Sequence, residues 1–288
     1  MHSPISRALR RALAAASCAA AIGVAAAVPT IDAAACSICL AGDPIFDSQG
    51  VSAQQQGDLT AYLEVRGWSK RAAALPHGHG DDDDDHDHHG FERATDQQLN
   101  ASLAWTPVDR ATLSLNLPVA FNHMEMIAPG ERMNTELTGV GDLAFNASLV
   151  AWRNRDVLPS SWLEARVMVK APTGESSRAD KGMVDKHLQA GTGSWDTGAG
   201  VAGIHRLAWG TAYASVMYRV NTEGSLDYEY GDVLLANAAL LVPLGHATGM
   251  PELARLTAGA ELNFRWAERD RFRGNDYEDS GGSILYIT

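Results

Sequence analysis

Beyond residue 35 the sequence has no apolar run of the ~18 residues that a membrane-spanning helix needs, although 45% of its 288 residues are hydrophobic. A chain of this kind crosses a membrane with strands or not at all. Basic charge is scarce. Lys and Arg number 23 against 35 Asp and Glu, a formal net charge of -12, which argues against nucleic acid as a partner. Much of the acidity sits in one run, so it says little about the body of the chain. Cysteine is nearly absent: Cys18, Cys36 and Cys39 are all there is. A second C-x-x-C is missing, so a closed four-cysteine zinc site within one chain is excluded. G-x-S-x-G and H-E-x-x-H are missing too, and with them the usual serine-hydrolase and zinc-protease motifs. Glu64, Glu164 and Glu261 could do acid–base work, but nothing in the sequence pairs them. The chain reads as a non-enzyme.

Residues 1–35 have the layout of a secretory signal. Arg7, Arg10 and Arg11 make a basic start, residues 12–29 an Ala-rich apolar core, and Ala33, Ala34 and Ala35 a small-residue cleavage point. Cleavage removes Cys18. Residues 36–58 then form a periplasmic N-terminal segment that opens on Cys36-Ser-Ile-Cys39. That pair suits a structural disulfide in an oxidising compartment, a contact to a soft metal, or an acylated N-terminal Cys36. A thioredoxin-like βαβ pattern does not follow it, which weakens redox catalysis.

From residue 59 the chain alternates. In residues 256–266, Leu256, Ala258, Ala260, Leu262, Phe264 and Trp266 fall on one side of a two-residue period. Thr257, Gly259, Glu261, Asn263 and Arg265 fall on the other. Successive strand side chains point to opposite faces, so this is a strand with an apolar and a polar face. Eleven residues at ~3.3 Å span roughly 36 Å, enough to cross a bilayer at a tilt of about 45°. The same pattern recurs over residues 59–68, 98–105, 112–122, 142–151, 163–170 and 212–220; residues 194–205 read as a Gly-rich strand of poor alternation, residues 233–244 as a mostly apolar one interrupted by Asn237, and a tenth strand begins at Ser283. Pro118 should mark a bulge or a strand end. Residues 123–138 read as a loop, as do 172–193, 221–229 and 267–282.

The connections alternate long and short along the chain. Outer-membrane barrels put long loops outside and short turns in the periplasm, whereas a soluble sandwich has no reason to sort loops by parity. The expectation is an all-β protein: an antiparallel up-and-down transmembrane barrel of about 10–12 strands in residues 59–288, located in the cell outer membrane. The tenth pattern is only about six residues long, short of a span, so two further strands would complete a longer sheet. Glu64, Arg66, Glu164, Arg166, Lys170, Arg219, Glu261 and Arg265 sit on polar faces. They would set the field and selectivity of a lumen, or pair with one another and plug it.

Residues 69–92 hold the run Pro76-His-Gly-His-Gly-Asp-Asp-Asp-Asp-Asp-His-Asp-His-His-Gly90. It is too charged and Gly-rich to pack and belongs in an extracellular loop. His77, His79, His86, His88 and His89 are five of the ten histidines. With the aspartates they form either a solvated tract or a site that captures a divalent transition metal such as Cu, Zn or Ni.

Lys170-Ala-Pro-Thr-Gly174, Gly191-Thr-Gly-Ser-Trp-Asp196, Tyr230-Gly-Asp232 and the Gly141-Asp-Leu143 strand start follow one another at set spacings. In these the chain resembles the bacterial outer-membrane β-barrel family labelled phenol-degradation-pathway (MetA-type) transporters. The resemblance covers roughly residues 59–288. It implies a monomeric antiparallel barrel of about twelve strands with a transport role. The His/Asp run and the cysteine pair are not part of that pattern and point toward metal ions. The expected function is therefore an outer-membrane channel or transporter for small solutes, linked to divalent-metal handling through residues 69–92. Its partners are outer-membrane lipid and a small solute or metal ion. The alternative is a metal-binding or sensor protein on a non-conducting barrel scaffold, and an outer-membrane enzyme comes third.

Overall fold

A computed structural model of the chain describes residues 56–71, 91–128, 131–154, 159–179, 186–253, 256–277 and 280–287. The strands are β1 (Leu59–Arg71), β2 (Phe91–Val108), β3 (Ala111–Ala128), β4 (Glu131–Val140), β5 (Leu143–Arg153), β6 (Ser161–Ala171), β7 (Asp196–Leu207) and β8 (Gly210–Val220). They continue with β9 (Tyr228–Glu229), β10 (Val233–Pro243), β11 (Thr257–Ala267), β12 (Arg271–Phe272), β13 (Asn275–Asp276) and β14 (Gly282–Ile287). The one α-helix among the described residues, α1 (Leu244–Thr248), is a single turn between β10 and β11. No helix of the described residues is long and apolar enough to cross a membrane.

Eleven strands form one antiparallel sheet in the order β1-β2-β3-β5-β6-β7-β8-β10-β11-β14, with β4 paired to β3. Nearly every long strand pairs with its neighbour in sequence, as a meander requires. Among the described residues β1 and β14 are not paired with each other, and β14 covers only Leu262–Ala267 of β11.

The faces divide as the alternation dictates. Leu59, Leu63 and Val65 of β1 are exposed, as are Leu163, Val167 and Val169 of β6 and Val216 and Val220 of β8. The polar face is covered instead: Glu261, Asn263 and Arg265 of β11 are 2%, 1% and 3% exposed. A water-soluble sandwich shows the reverse, apolar in and polar out. Aromatic side chains collect at both ends of the apolar belt. Trp105, Trp152 and Trp209 are exposed at the short-turn end; Phe121, Tyr218 and Trp266 lie toward the other. Such girdles mark the two interfaces of a bilayer.

The span expected to be a loop at residues 123–138 is instead strand. β3 continues to Ala128 and folds back as β4, from Val119 opposite Val140 to Ala128 opposite Glu131. Its residues lack a continuous apolar face because this hairpin rises past the belt. β2 and β3, at 18 residues each, extend roughly 60 Å at ~3.3 Å per residue, well beyond a bilayer crossing. Pro118 does not end β3. It sits where the partner of β3 changes from β5 to β4, and its carbonyl accepts from Gly141 N at 2.8 Å. A proline there costs no ladder bond, because the facing strand is itself broken at Gly141-Asp142.

Candidate functional site: the inner wall and mouth

The polar faces of β5 to β11 share one concave side. Contacts that skip a strand show this: Arg166 of β6 reaches Tyr213 of β8, with Nη1 donating to the phenol oxygen at 2.6 Å. The Arg166 guanidinium also lies 5.4 Å from the Tyr213 ring centroid. Two residues earlier on the same face, Glu164 accepts from Arg166 Nη2 at 3.0 Å and from Trp162 Nε1 at 3.0 Å. Arg206 covers the Trp162 ring at 5.1 Å. Below this group the wall turns apolar, with Trp162, Ala202, Ile204, Tyr213 and Ala239 packed together. The short-turn half of the inner wall therefore carries an apolar patch; the charged half lies toward the long loops.

At that end the chain builds a buried charge network. Lys170, at the end of β6, places its ammonium against Asp196 of β7, directly opposite in register, and 3.4 Å from Asp142 Oδ2. It also donates to Thr192 Oγ1 at 2.5 Å. All three charged side chains are at most 4% exposed. Four buried or half-buried aspartates then repeat one device, each accepting a backbone N–H from a connecting segment. Asp142 takes Gly174 N at 2.9 Å and Thr192 N at 2.7 Å. Asp196 takes Thr222 N at 3.2 Å and Asp232 takes Asn221 N at 2.9 Å. Asp270 takes Gly231 N at 2.8 Å and the Tyr228 hydroxyl at 2.5 Å. Charge-assisted bonds of this kind are about twice as strong as neutral ones, and here they draw the loops inward over the wall.

Residues 186–195 lie inside this ring. They begin with the 3-10 turn Lys186–Leu188. Leu188, 1% exposed, packs with Met124 and Leu137 on the inner side of the β3–β4 hairpin, and Asn122 Nδ2 donates to its carbonyl at 2.9 Å. From there the segment crosses to the β8–β10 connection, where Ser225 N donates to Thr192 O at 3.1 Å. Beside it, the 172–179 arm approaches the wall closely enough to require glycine. A Cβ on Gly174 would stand 2.5 Å from the carbonyl carbon of Gly141 and 2.8 Å from Asp142 N. Backbone cannot yield as a side-chain tip can, so Gly174→Ala should lower stability by about 1–3 kcal/mol. A thermal melt followed by gel mobility reads this, and an unchanged melting point would mean the segment is seated elsewhere.

Glu164 pairs with Arg166, Lys170 belongs to the aspartate network, and Glu64 accepts from Asn100 Nδ2 at 3.4 Å across β1 and β2. Glu261, Arg265 and Arg219 are buried on the concave side, and Arg219 sits in the field of Asp196 and Asp232. Arg66 of β1 pairs in register with Gln98 of β2. Cys36, Cys39, His77, His79, His86, His88 and His89 lie outside the described residues. Among the described residues no group of three or more His, Cys, Asp or Glu side chains is arranged to hold a metal ion. Sequence reasoning missed Asp142, Lys186, Thr192, Asp196, Asp232 and Asp270. The available signal was the set of short motifs: Gly141-Asp142, Lys170 to Gly174, Gly191 to Asp196 and Tyr230 to Asp232 all converge on this one network.

No protein-family model matches the chain, and no curated protein matches it. Among solved structures it is similar to an outer membrane channel from Pseudomonas putida, with a TM-score of 0.55 and 17% identity over 82% of this chain and 81% of that one. At that identity the likeness speaks for the fold. Together with the exposed apolar belt and covered polar face, it gives the chain the antiparallel β-barrel fold of an outer-membrane channel, in agreement with the location expected from its sequence.

Proposed function

We propose that this protein is an outer-membrane channel for small solutes whose outer mouth is narrowed by the aspartate network. One observation carries the reading. Ionisable side chains face a concave interior while the exterior is apolar, which fits a wall between lipid and a polar path. The similar channel from Pseudomonas putida supports it at the level of fold. The finer assignment, a transporter of the phenol-degradation-pathway (MetA-type) kind acting as a monomer, draws support from the convergence of the resembling motifs at the mouth. An enzyme role finds little to work with. Glu164 is engaged by Arg166 and Trp162, and Glu64 by Asn100, so neither is poised as an acid–base pair.

A second reading keeps the barrel as a non-conducting scaffold for metal capture. Its support is the composition of residues 77–89, five His and six Asp in thirteen positions, carried between β1 and β2 on the long-loop side. Liposome swelling on the purified full chain separates the two. A channel lets small sugars or amino acids equilibrate, faster than in protein-free vesicles. A scaffold binds Cu or Zn by calorimetry, with affinity falling below about pH 6 as imidazoles protonate, yet passes no solute. Swelling indistinguishable from empty liposomes would reject the channel.

A further inference from the structure

We propose that residues 186–195 form a displaceable strap across the inner side of the mouth, and that the buried Lys186 ammonium opposes its seating for as long as the amine keeps its proton. The inference rests on the channel reading and adds the moving part. The strap is held by hydrogen bonds and packing alone: Leu188 under the β3–β4 hairpin with its carbonyl on Asn122, Thr192 on Asp142, Lys170 and Ser225, Gly191 on Glu175, and Ala190 over Gly139 and Gly141. Gln189 anchors its near end to the 172–179 arm, accepting from Arg178 N at 2.9 Å and donating to Arg178 O at 2.9 Å. None of these is covalent, and none belongs to the strand ladder.

Lys186 is the costly element. Its Nζ donates to Thr192 O at 2.5 Å and to Ser225 Oγ at 2.8 Å, both neutral oxygens, and lies 5.8 Å from the Tyr230 ring. The charged groups facing it are Asp142 ahead of β5, Lys170 of β6 and Asp196 of β7, with Tyr230 as the other titratable neighbour. The two carboxylates are in contact with Lys170, so Lys186 is a second cation beside a pair already made. Burial pushes its pKa down to about 8, with Lys170 adding to the fall and Asp142 and Asp196 resisting it. An unseated strap would return the amine to water and to its ordinary value of about 10.4. The unseated state thus binds the proton more tightly. Below about pH 8 seating carries the full cost of burying the charge. That cost fades as pH rises from about 8 toward 10.4, so alkali should tighten the strap.

Single-channel recording on the full chain in planar bilayers tests this. Open-state occupancy should fall several-fold as pH rises through that window. Lys186→Met removes the charge and keeps the length. It should show low occupancy already at neutral pH and little further change. A Lys186→Met channel that matches the parent at every pH, or opens more at neutral pH, overturns the role of the amine. A second variant covers the case in which Lys186→Met fails to assemble. A Cβ on Gly139 would lie 3.1 Å from the Ala190 Cβ, so Gly139→Cys with Ala190→Cys, in a Cys36→Ser, Cys39→Ser background, should cross-link strap to wall. Oxidation should abolish conduction and reductant restore it. A bond that does not form means the strap is not seated there. A bond that forms without changing the current leaves a channel but no gate. A bond that forms in a protein that never conducts takes the channel reading down with the strap.

Discussion

Lys170→Met is expected to lose roughly 3–5 kcal/mol of stability, because removing one partner of a buried ion pair strands the other. Here two carboxylates are stranded, Asp142 and Asp196, each in contact with the ammonium and each almost fully covered. Their backbone N–H partners, Gly174, Thr192 and Thr222, soften the loss without replacing the cation. The urea midpoint of the barrel in lipid, followed by heat-modifiable gel mobility, reads the effect. Adding Asp196→Asn to Lys170→Met should recover a good part of it, since the two changes act on one contact and cannot be additive. A double variant that is weaker than the sum of both singles would show that the three side chains do not act as a unit.

Val201→Arg should be about as damaging for a different reason. Val201 lies midway along β7 on the outer face and is 60% exposed, between the equally outward Ala165 and Val216. A guanidinium there faces hydrocarbon, which costs about 2–4 kcal/mol near the bilayer midplane. Ser102→Lys on the concave face of β2 loses a hydrogen bond to Asn116 but keeps the charge on the polar side, and it should be much milder. Folding yield into vesicles compares the two. If Ser102→Lys proves the worse, the inner and outer faces have been exchanged.

How far the sequence reveals this molecule depends on which solvent each stretch meets. Where a strand runs between lipid and a polar interior, alternation must be unbroken, and residues 256–266 or 212–220 can be read directly. Past the bilayer that demand lapses. β4, with Glu131, Asn134 and Glu136 among its residues, carries no apolar face, and it reads as a loop although it is paired throughout. The mouth was hidden for another reason. Asp142 and Thr192 are 50 positions apart, and most partners of the aspartates are backbone amides, which leave no trace in residue type. The Glu164–Arg166 pair could be anticipated, because a spacing of two puts both on one strand face; its third member, Tyr213, could not.

The placement of Lys170 also bears on how the strands find their alignment during assembly. An outer apolar belt repeats every second residue, so sliding one strand by two positions leaves every side chain on its proper face. Hydrophobicity alone is therefore blind to such errors. The charges are not. In the native pairing Lys170 stands opposite Asp196, and Met168 opposite Gly198. A slip of two along β7 would bring Lys170 opposite Gly198, which has no side chain, and leave its ammonium with only one of its two carboxylates, Asp142. The same slip would carry Asp196 away from Thr222. One salt bridge at the lip of the sheet thus acts as an index mark, fixing to the residue an alignment that the fatty exterior would tolerate in several versions.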